Sequence, residues 1–595
     1  MFHPQHRIIL SVLLLTAVLI SGEITDQGWW KHTVFYQIYP RSFKDSNGDG
    51  VGDLQGITSK LDHFKESKVG AIWLSPIYKS PMVDFGYDVS DFKDIYYKFG
   101  TMTDFENFVK NAKKLGLKII LDLVPNHTSD EHYWFEMSLN RTGKYEHYYI
   151  WADGKNNNTQ PPNNWLSVFG GPAWTFYEPR KQWYFHQFHS KQPDLNFSNP
   201  HVKEEIKDII IFWLKKGVDG FRVDAVPHLY ETNYTQDEPK SNINGVTKDD
   251  YNYLIHTLTK DQPETYELVK SWRKILDDYA IRNNSTEKVM MTEAYTSLEN
   301  TIKYYEFGSH IPFNFNFIMN VTASSNATHF KRIIDEWMNA MPKDCVANWV
   351  MGNHDRNRTA SRFPGRADQM TMLAMILPGV AVTYYGEEIG MVDKMDISWE
   401  DTQDPQACNA EKDKYKSRSR DPVRTPYQWD PSKNAGFSKA TKTWLPIHDN
   451  YVDVNLLAQK YNNDSHYYVY RVLTELRNSS KALQLGSLTT DVINNTVLHI
   501  LRKTDNEAVT LLINFSDEKE QVIDLTETLR GFKNGTFKIA SVGSGIKPNQ
   551  DVELNKINIP PKSSVVFQTS KASSKYIVSF QTILLLFFLM ITLYK

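Results

Sequence analysis

Short apolar runs alternate with helical patterns along the first part of the chain. The runs cover residues 34–40, 71–76 and 118–124, and the segments between them, 54–67 and 103–115, carry apolar positions at helical spacing. Apolar strands that alternate with helices are typical of parallel βα units, whose sheet is covered on both faces. The pattern therefore predicts an α/β fold built on a parallel sheet.

The same rhythm resumes after an interruption at residues 128–196. A helical pattern at 204–216 is followed by further candidate strands at 220–226, 288–293, 313–319, 346–350 and 380–385. Eight strands with polar side chains at their ends predict a (β/α)8 TIM barrel whose active site lies at the C-terminal ends of the strands. The interruption is rich in Trp, Asn, Pro and Gly and predicts a long insertion after strand 3 that builds a wall of the site.

The pattern of apolar and polar positions changes near residue 455. Short alternating runs at 467–472, 497–501, 508–514 and 563–567 predict a C-terminal antiparallel β domain, which we expect to be a sandwich. The predicted organisation is a catalytic barrel over 23–127 and 197–454, an inserted subdomain over 128–196 and a β-sandwich over 455–569.

Both ends of the chain indicate export. Residues 8–20 are apolar, follow His6-Arg7 and precede Ser21-Gly22, which predicts a signal peptide over 1–22. Residues 576–594 are largely apolar and only Lys595 follows, so 570–595 reads as a glycosylphosphatidylinositol anchor signal or a single membrane helix. The lack of several following Lys or Arg residues favours the lipid anchor. Asn-x-Ser/Thr acceptors, such as those at Asn140, Asn233 and Asn326, support an exported glycoprotein.

Composition narrows the class of partner. The net charge of -3 and the absence of a basic run argue against nucleic acid as a partner. Aromatic residues make up 13% of the chain, a mild indication of sugar-stacking surfaces. Cys345 and Cys408 are the only cysteines, and the sequence leaves open whether they pair.

The candidate chemistry lies at the ends of the predicted strands. Arg222 and Asp224 stand two residues apart on one strand, so they point to the same face and the cation can hold the carboxylate ionised. Alone, such a pair is more often structural than catalytic. Other strand ends carry Asp122 with His127, then Glu293, then His354-Asp355. Because burying so many charges at one end of a barrel is costly, we interpret the set as a catalytic site.

Motifs exclude several reaction classes. The sequence has no Gly-rich phosphate loop on its first strand, no Gly-x-Ser-x-Gly nucleophile elbow and no His-Glu-x-x-His helix. Paired carboxylates with an arginine and aromatic surroundings suit glycoside cleavage, in which one carboxylate attacks the anomeric carbon and a second acid protonates the leaving oxygen.

A loop near the N-terminus has the pattern of a metal site. Asp45, Asn47, Asp49 and Asp53 alternate with small residues, so their oxygens could converge on a calcium ion. A solvated Asx/Gly turn explains the same pattern equally well, and no glutamate completes an EF-hand.

Several spaced motifs resemble the signature regions of the α-amylase family, glycoside hydrolase family 13. The resemblance covers about residues 28–570 and is strongest to the α-glucosidase branch, among whose members the chain most resembles the maltases and sucrases of the insect midgut. The motifs are Asp122-Leu-Val-Pro-Asn-His127, Gln192-Pro-Asp-Leu-Asn196, Gly220-Phe-Arg-Val-Asp-Ala225, Glu293-Ala-Tyr295, Asn353-His-Asp355 and Arg420-Asp-Pro-Val-Arg-Thr-Pro-Tyr-Gln-Trp429.

The resemblance implies a role for each candidate residue. Asp224 is the expected nucleophile, Glu293 the general acid/base and Asp355 the third carboxylate. The expected substrate-binding residues are Arg222, which orients the nucleophile, His127 and His354, which bind hydroxyls, Tyr87, a stacking platform, and Asp88 with Arg424, which close the pocket. The resemblance also implies a structural calcium ion on Asp45, Asn47, Asp49, the Val51 carbonyl and Asp53, and no organic cofactor.

The expected function is that of a retaining, exo-acting α-glucosidase. It would hydrolyse terminal α-linked glucose from maltose, sucrose and short oligosaccharides, with transfer of glucose to another sugar as the competing outcome. Ala225, directly after the nucleophile, favours α-1,4 or sucrose substrates over α-1,6 bonds. A non-catalytic relative, such as the heavy chain of amino-acid transporters, is the rival class, but such chains lack parts of the carboxylate set. The resemblance and the two termini together place the protein in the secretory pathway, on the extracellular face of the plasma membrane of gut epithelium.

Overall fold

A computed structural model describes residues 23–410 and 412–571 of the chain. The predicted signal peptide, 1–22, and the predicted anchor segment beyond residue 571 lie outside the described residues. Within the described ranges, no helix is long and apolar enough to cross a membrane.

The centre of the fold is a parallel eight-stranded barrel. Each strand pairs with its neighbours in sequence except at one seam, and the last strand also pairs with the first. This confirms the predicted TIM barrel. The strands are β1 Val34–Ile38, β2 Ala71–Leu74, β3 Lys118–Leu123, β4 Gly220–Val223, β5 Val289–Thr292, β6 Ile311–Pro312, β7 Asn348–Val350 and β8 Val380–Tyr384.

The barrel is nearly closed, and one side chain bridges its seam. Among the described strands, β6 and β7 end the sheet without a backbone ladder between them. The side-chain oxygen of Asn348 accepts the Asn314 N–H at 2.8 Å, and its amide group donates to the Pro312 carbonyl at 2.6 Å. Asn348 therefore replaces the missing ladder, because Pro312 has no N–H to donate.

The sixth strand differs from the prediction. We expected a strand over 313–319, but β6 is Ile311–Pro312 and a helix follows at Asn316–Met319. Phe313 and Phe317 are both buried, which explains why the run is apolar. A short buried run has the same composition in a strand or a helix, so periodicity could not separate the two.

Helices cover the outside of the barrel. The helix Met102–Lys114 begins with a capping box between Thr101 and Asp104, and Pro200–Lys215 begins with an Asn199 cap and a proline in its first turn. The segment predicted as one helix at 54–67 is two. The main outer helices are Leu54–Thr58, Leu61–Glu66, Met102–Lys114, Pro200–Lys215, Pro263–Arg282, Leu298–Glu306, Ala327–Ala340 and Ala367–Ile376.

The insertion after β3 forms a small subdomain with its own core. It contains the helix Tyr133–Leu139 and a three-stranded antiparallel sheet in which Gln182–Phe185 lies between Trp151–Ala152 and Trp174–Tyr177. Ile150, Trp165, Ala173, Trp174 and Phe185 pack together beneath it. The predicted long insertion after the third strand is therefore present.

The C-terminal part begins with helices and continues as antiparallel sheet. We predicted a strand at 467–472, but this run lies in the helix His466–Ser479, whose buried residues Tyr467, Tyr470, Leu473 and Arg477 recur at helical spacing. The helices Leu456–Lys460 and Lys481–Leu485 flank it. The predicted antiparallel domain follows, with strands Ser487–Ile493, Val497–Lys503, Glu507–Asn514, Gln521–Ile523, Gly535–Ala540, Asp551–Val552, Ile557–Ile559 and Ser564–Ser570.

Candidate active site

A cleft of about 530 Å³ lies at the C-terminal ends of the barrel strands. It brings together most of the residues that the sequence predicted for the site. These are Tyr87, His127, Asp224, Glu293, His354 and Asp355, all of which line the cleft.

Asp224 follows the end of β4 and is held by Arg222. The Arg222 Nη1 atom donates to the Asp224 Oδ1 atom at 2.6 Å and to the Asp122 Oδ1 atom at 2.7 Å. The guanidinium lies over the Trp73 ring, 5.3 Å from its centroid. Because Arg222 is almost fully buried, these contacts fix its position and hence the rotamer of Asp224.

Glu293 follows β5 and is tied to the chain that follows Asp224. Its Oε2 atom accepts the Ala225 N–H at 2.8 Å, and its carbonyl accepts the Val226 N–H at 3.2 Å. Ala225 has a φ of 48°, a left-handed conformation that costs an alanine about 1–2 kcal/mol. This left-handed turn points the Ala225 N–H at the Glu293 carboxyl group. The resulting hydrogen bond connects the segment after β4 with the segment after β5.

Burial changes the expected proton affinity of both carboxyl groups. Burial raises the pKa of Asp224 to about 7 against the opposing charge of Arg222, with Asp122 and Asp355 adding to the rise. Burial also raises the pKa of Glu293 to about 7, with Arg222 opposing and Asp224 adding to the rise. From the sequence we expected Arg222 to keep the pKa of Asp224 low. In the structure, the effect of burial on this pKa is larger than that of Arg222.

The raised pKa values of Asp224 and Glu293 allow one of the two groups to be protonated near neutral pH. Arg222 donates to Asp224 at 2.6 Å but lies 3.6 Å from Glu293, which places the negative charge on Asp224 and the proton on Glu293. One ionised carboxylate beside one protonated acid is the state that glycoside cleavage requires.

We expect kcat/KM for maltose to fall as the pH rises through about 7, because Glu293 then loses the proton that it must donate. The charged groups near Glu293 are Arg222, Asp224, Asp355 and Lys260. A pH profile measured between pH 4 and 9 checks this, and a profile without an alkaline decline in that range would contradict it.

Asp355 remains ionised in this site. Its Oδ1 atom accepts from Arg424 at 3.0 Å and from Arg420 at 3.1 Å, and its Oδ2 atom lies 3.3 Å from the His354 Nε2 atom. Burial opposes ionisation, but the permanent charges of Arg420 and Arg424 outweigh it and hold the pKa of Asp355 well below its usual range. Asp355 can therefore bind sugar hydroxyls as a permanent acceptor.

The two histidines are neutral hydrogen-bonding groups. Burial lowers the pKa of His127 to about 4 and that of His354 to about 3. The His354 ring stacks on Tyr87 with the ring centroids 5.3 Å apart and the planes 5° apart, while the Tyr87 hydroxyl donates to Asp122 at 3.1 Å. One face of Tyr87 is thus fixed by His354, and neither histidine adds a cation to the cleft.

Asp88 does not close the pocket, and this part of the prediction is wrong. Its Oδ1 atom accepts from the Ser80 hydroxyl at 2.9 Å and the Asp84 N–H at 3.0 Å, and its Oδ2 atom accepts from the Val83 N–H at 2.7 Å. The side chain is fully buried and is absent from the lining of the cleft. Asp88 instead shapes its own loop, because all of these donors belong to residues 80–84.

Asp84 and Arg420 occupy the place that we had assigned to Asp88 and Arg424. Both line the cleft, and the Arg420 Nη2 atom donates to the Asp84 Oδ1 atom at 2.8 Å. Arg424 is buried behind them, where its Nε atom donates to the His354 carbonyl at 2.8 Å. Arg424 therefore supports His354 and Asp355 from behind and is not part of the cleft wall.

Loop residues that sequence reasoning missed complete the lining. Phe169 and Phe188 come from the insertion, and Lys260, Tyr295 and Arg356 come from other loops. Arg420 and Tyr295 belong to two of the family motifs in the sequence, and these motifs could have identified both residues as part of the site. Lys260 lies outside every motif, and nothing in the sequence marked it.

The predicted calcium ligands lie in a loop closed by its own amides. Asp45 accepts the N–H groups of Asn47, Gly48 and Gly50 at 3.0, 2.7 and 2.9 Å, and Asp53 caps the next helix through the Gly56 N–H at 2.7 Å. Across the described ranges, no three His, Cys, Asp or Glu side chains are arranged to hold a metal ion by themselves. Both Asp45 oxygens already accept two hydrogen bonds, whereas Asp49 Oδ1 and Asp53 Oδ2 accept one each. Asp49 and Asp53 therefore keep lone pairs for calcium, and the site also needs Asn47 and the Val51 carbonyl.

Comparison with known proteins agrees with this barrel and cleft. Residues 37–486 match the catalytic domain of alpha amylase. The chain therefore belongs to the α-amylase family.

Two relatives and two solved structures show the range of this similarity. The chain is 47% identical to Maltase 1 of Drosophila virilis over 93% of this chain and 91% of that protein, and 48% identical to the alpha-glucosidase of Apis mellifera over 85% and 90%. The alpha-glucosyl transfer enzyme XgtA matches with a TM-score of 0.79 at 32% identity over 91% of this chain and 99% of that one. A mutant of MutB in complex with the substrate sucrose matches with a TM-score of 0.79 at 29% identity over 91% and 100%.

Proposed function

We propose that this chain is a retaining, exo-acting α-glucosidase that removes terminal glucose from maltose, sucrose and short oligosaccharides. One observation carries the proposal: Asp224 and Glu293 are joined through Arg222 and the Ala225 amide in a cleft that also contains the Asp84–Arg420 ion pair. In this proposal the Asp84–Arg420 pair closes one end of the cleft, so that only the end of a sugar chain enters. The names of the maltase and α-glucosidase relatives support this substrate class.

In the proposed mechanism, Asp224 attacks the anomeric carbon while Glu293 gives its proton to the leaving oxygen. Water then hydrolyses the glucosyl ester, with Glu293 as the base, so the configuration is retained. Esterification of Asp224 removes a negative charge beside Glu293, which lowers the proton affinity of Glu293 when a base is needed. Asp355, charged throughout, binds ring hydroxyls.

Transfer to a sugar competes with hydrolysis, because water and sugar hydroxyls attack the same intermediate. The match to an alpha-glucosyl transfer enzyme and to a sucrose complex supports sucrose as a substrate and transfer as a second outcome. Steady-state rates with sucrose, maltose, isomaltose and trehalose, followed by product analysis, test the proposal. Free glucose from maltose and sucrose is expected; inertness toward all four sugars would overturn it.

Substitutions of Asp84 and Asp88 test which of the two aspartates closes the end of the pocket. We expect Asp84→Asn to lower kcat/KM for maltose by about 10- to 100-fold, since it removes one of the three carboxylate charges that pair with Arg420, the others being Asp355 and Asp404. Asp88→Asn, the matched control, should leave KM unchanged and lower the free energy of unfolding by about 1–3 kcal/mol, because its amide would face N–H donors. A raised KM in Asp88→Asn alone would restore the original assignment.

We propose that the loop over 45–53 binds a structural calcium ion. The oxygen types of Asp45, Asn47, Asp49, Val51 and Asp53 support it. After treatment with a chelator, calcium at about 100 times its Kd is expected to stabilise the fold by about 2.7 kcal/mol, visible as a higher Tm. Asp49→Asn keeps the acceptor for the Val51 N–H but weakens the site, so its Tm shift should be smaller. An unchanged Tm at millimolar calcium would contradict the proposed calcium site.

We also propose that the protein is an exported glycoprotein on the outer surface of gut epithelium, held by a C-terminal lipid anchor. The apolar segments at 8–20 and 576–594 and the Asn-x-Ser/Thr acceptors support this. Phosphatidylinositol-specific phospholipase should release the protein from membranes; retention after this treatment would favour a membrane helix.

A further inference from the structure

Two adjacent loop residues, Lys260 and Asp261, contact the chain after both catalytic carboxyl groups. The Asp261 N–H donates to the carbonyl of Pro227 at 2.8 Å, and Pro227 stands three residues after Asp224. The Lys260 Nζ atom donates to the carbonyl of Tyr295 at 2.7 Å, and Tyr295 stands two residues after Glu293. The Lys260-Asp261 pair thus spans the two segments that carry the catalytic groups.

A third contact closes the same arrangement. The Thr296 hydroxyl donates to the Asp261 Oδ2 atom at 2.5 Å. Asp261 has a φ of 57°, a left-handed conformation for a residue other than glycine, which is maintained only where surrounding contacts require it. The helix Pro263–Arg282 begins two residues later and gives the pair a rigid base.

We propose that Lys260 and Asp261 are positioning residues that hold Glu293 at the distance and angle from Asp224 needed for proton transfer to the leaving group. This inference rests on the proposed role of Glu293 as general acid. Neither residue takes part in bond making; they act through the backbone of residues 227, 295 and 296.

The surroundings of Lys260 suit this role. Burial lowers the pKa of Lys260, while the neighbouring charges of Asp261 and Glu293 favour its cationic form. Lys260 lines the cleft on the side of Glu293, and its one described side-chain hydrogen bond is the one to Tyr295. General acid catalysis depends steeply on geometry, since a displacement of 1 Å can cost about 100-fold in rate.

The test compares two aryl glucosides of similar shape that differ in the need for a proton. Phenyl α-glucoside has a poor leaving group that requires protonation, whereas 4-nitrophenyl α-glucoside requires little. For Lys260→Met we expect kcat/KM to fall on the order of 10- to 100-fold with the phenyl substrate and by less than about 3-fold with the nitrophenyl substrate. Lys260→Arg, which keeps a donor, should recover most of the loss.

Thr296→Val provides an independent variant, because it removes only the contact with Asp261. We expect the same leaving-group pattern, smaller in size, although Thr296 does not line the cleft. Lys270→Met is the matched control, since Lys270 is an exposed lysine on the adjoining helix and should leave both rates unchanged.

Two results would overturn the inference: an equal loss on both glucosides, which indicates general structural damage, or no loss on either. Failure of the proposed function gives a different result. In that case the unsubstituted protein would hydrolyse neither glucoside, or Glu293→Gln would show no dependence on the leaving group.

Discussion

Asp224→Asn is expected to abolish turnover of maltose, with kcat falling by about 10⁴-fold or more. The amide has the shape of the carboxylate and can still accept the Arg222 hydrogen bond, but it cannot form a glucosyl ester. The loss should therefore lie in kcat, with little change in substrate binding.

The fold should tolerate this substitution. Burial raises the pKa of Asp224 in the folded state to about 7, so the ionised form costs stability, and that cost grows as the pH rises from about 4 through 7. The neutral asparagine avoids this cost, and we expect the Tm at pH 7 to be equal to or above that of the unsubstituted protein. Asp208→Asn, at an exposed position on the helix Pro200–Lys215, is the control. A folded Asp224→Asn protein with near-normal activity would refute the nucleophile.

Glu293→Gln is expected to lower kcat/KM for maltose by about 10²- to 10⁴-fold, the usual contribution of a positioned acid. The glutamine can still accept the Ala225 N–H, so the backbone turn should persist. It cannot donate the acidic proton or act as a base in the second step. Turnover of 4-nitrophenyl α-glucoside should fall less in the first step and then stall at the glucosyl ester.

Added azide provides the decisive control for Glu293→Gln. Azide needs no base, so it should attack the stalled intermediate and give α-glucosyl azide from the activated substrate. Formation of that product with restored turnover supports Glu293 as acid/base. If azide does not accelerate turnover, or if β-glucosyl azide forms, the assignment fails.

The barrel could be predicted because its strands are buried on both faces, which makes each one a short apolar run. The prediction failed where burial no longer distinguishes strand from helix. β6 has two residues, and the apolar run after it belongs to a helix. The run 467–472 is rich in Tyr and Val and looked like a strand, but its partner is the barrel helix Ala367–Ile376, which only the folded chain reveals.

The catalytic carboxyl groups could be predicted because strand ends of a barrel meet at one face. To predict Asp224, Glu293 and Asp355 as site residues, it was enough to locate the three strands that precede them. Asp84 and Asp88 stand four residues apart in one loop, and only the folded path shows that the first faces Arg420 and the second faces its own backbone. Lys260 depends on a contact between distant loops, for which the sequence holds no local signal.

The anomeric form of the glucose first released from 4-nitrophenyl α-glucoside tests the central claim most directly, because this glucose comes only from the transferred unit. Nuclear magnetic resonance, recorded before mutarotation, distinguishes α- from β-glucose. Attack by Asp224 inverts the anomeric carbon, and water then attacks from the face that the leaving group vacated, opposite Asp224, which predicts α-glucose as the initial product. Initial release of β-glucose would mean a single displacement and would contradict the assignment of Asp224 as a covalent nucleophile.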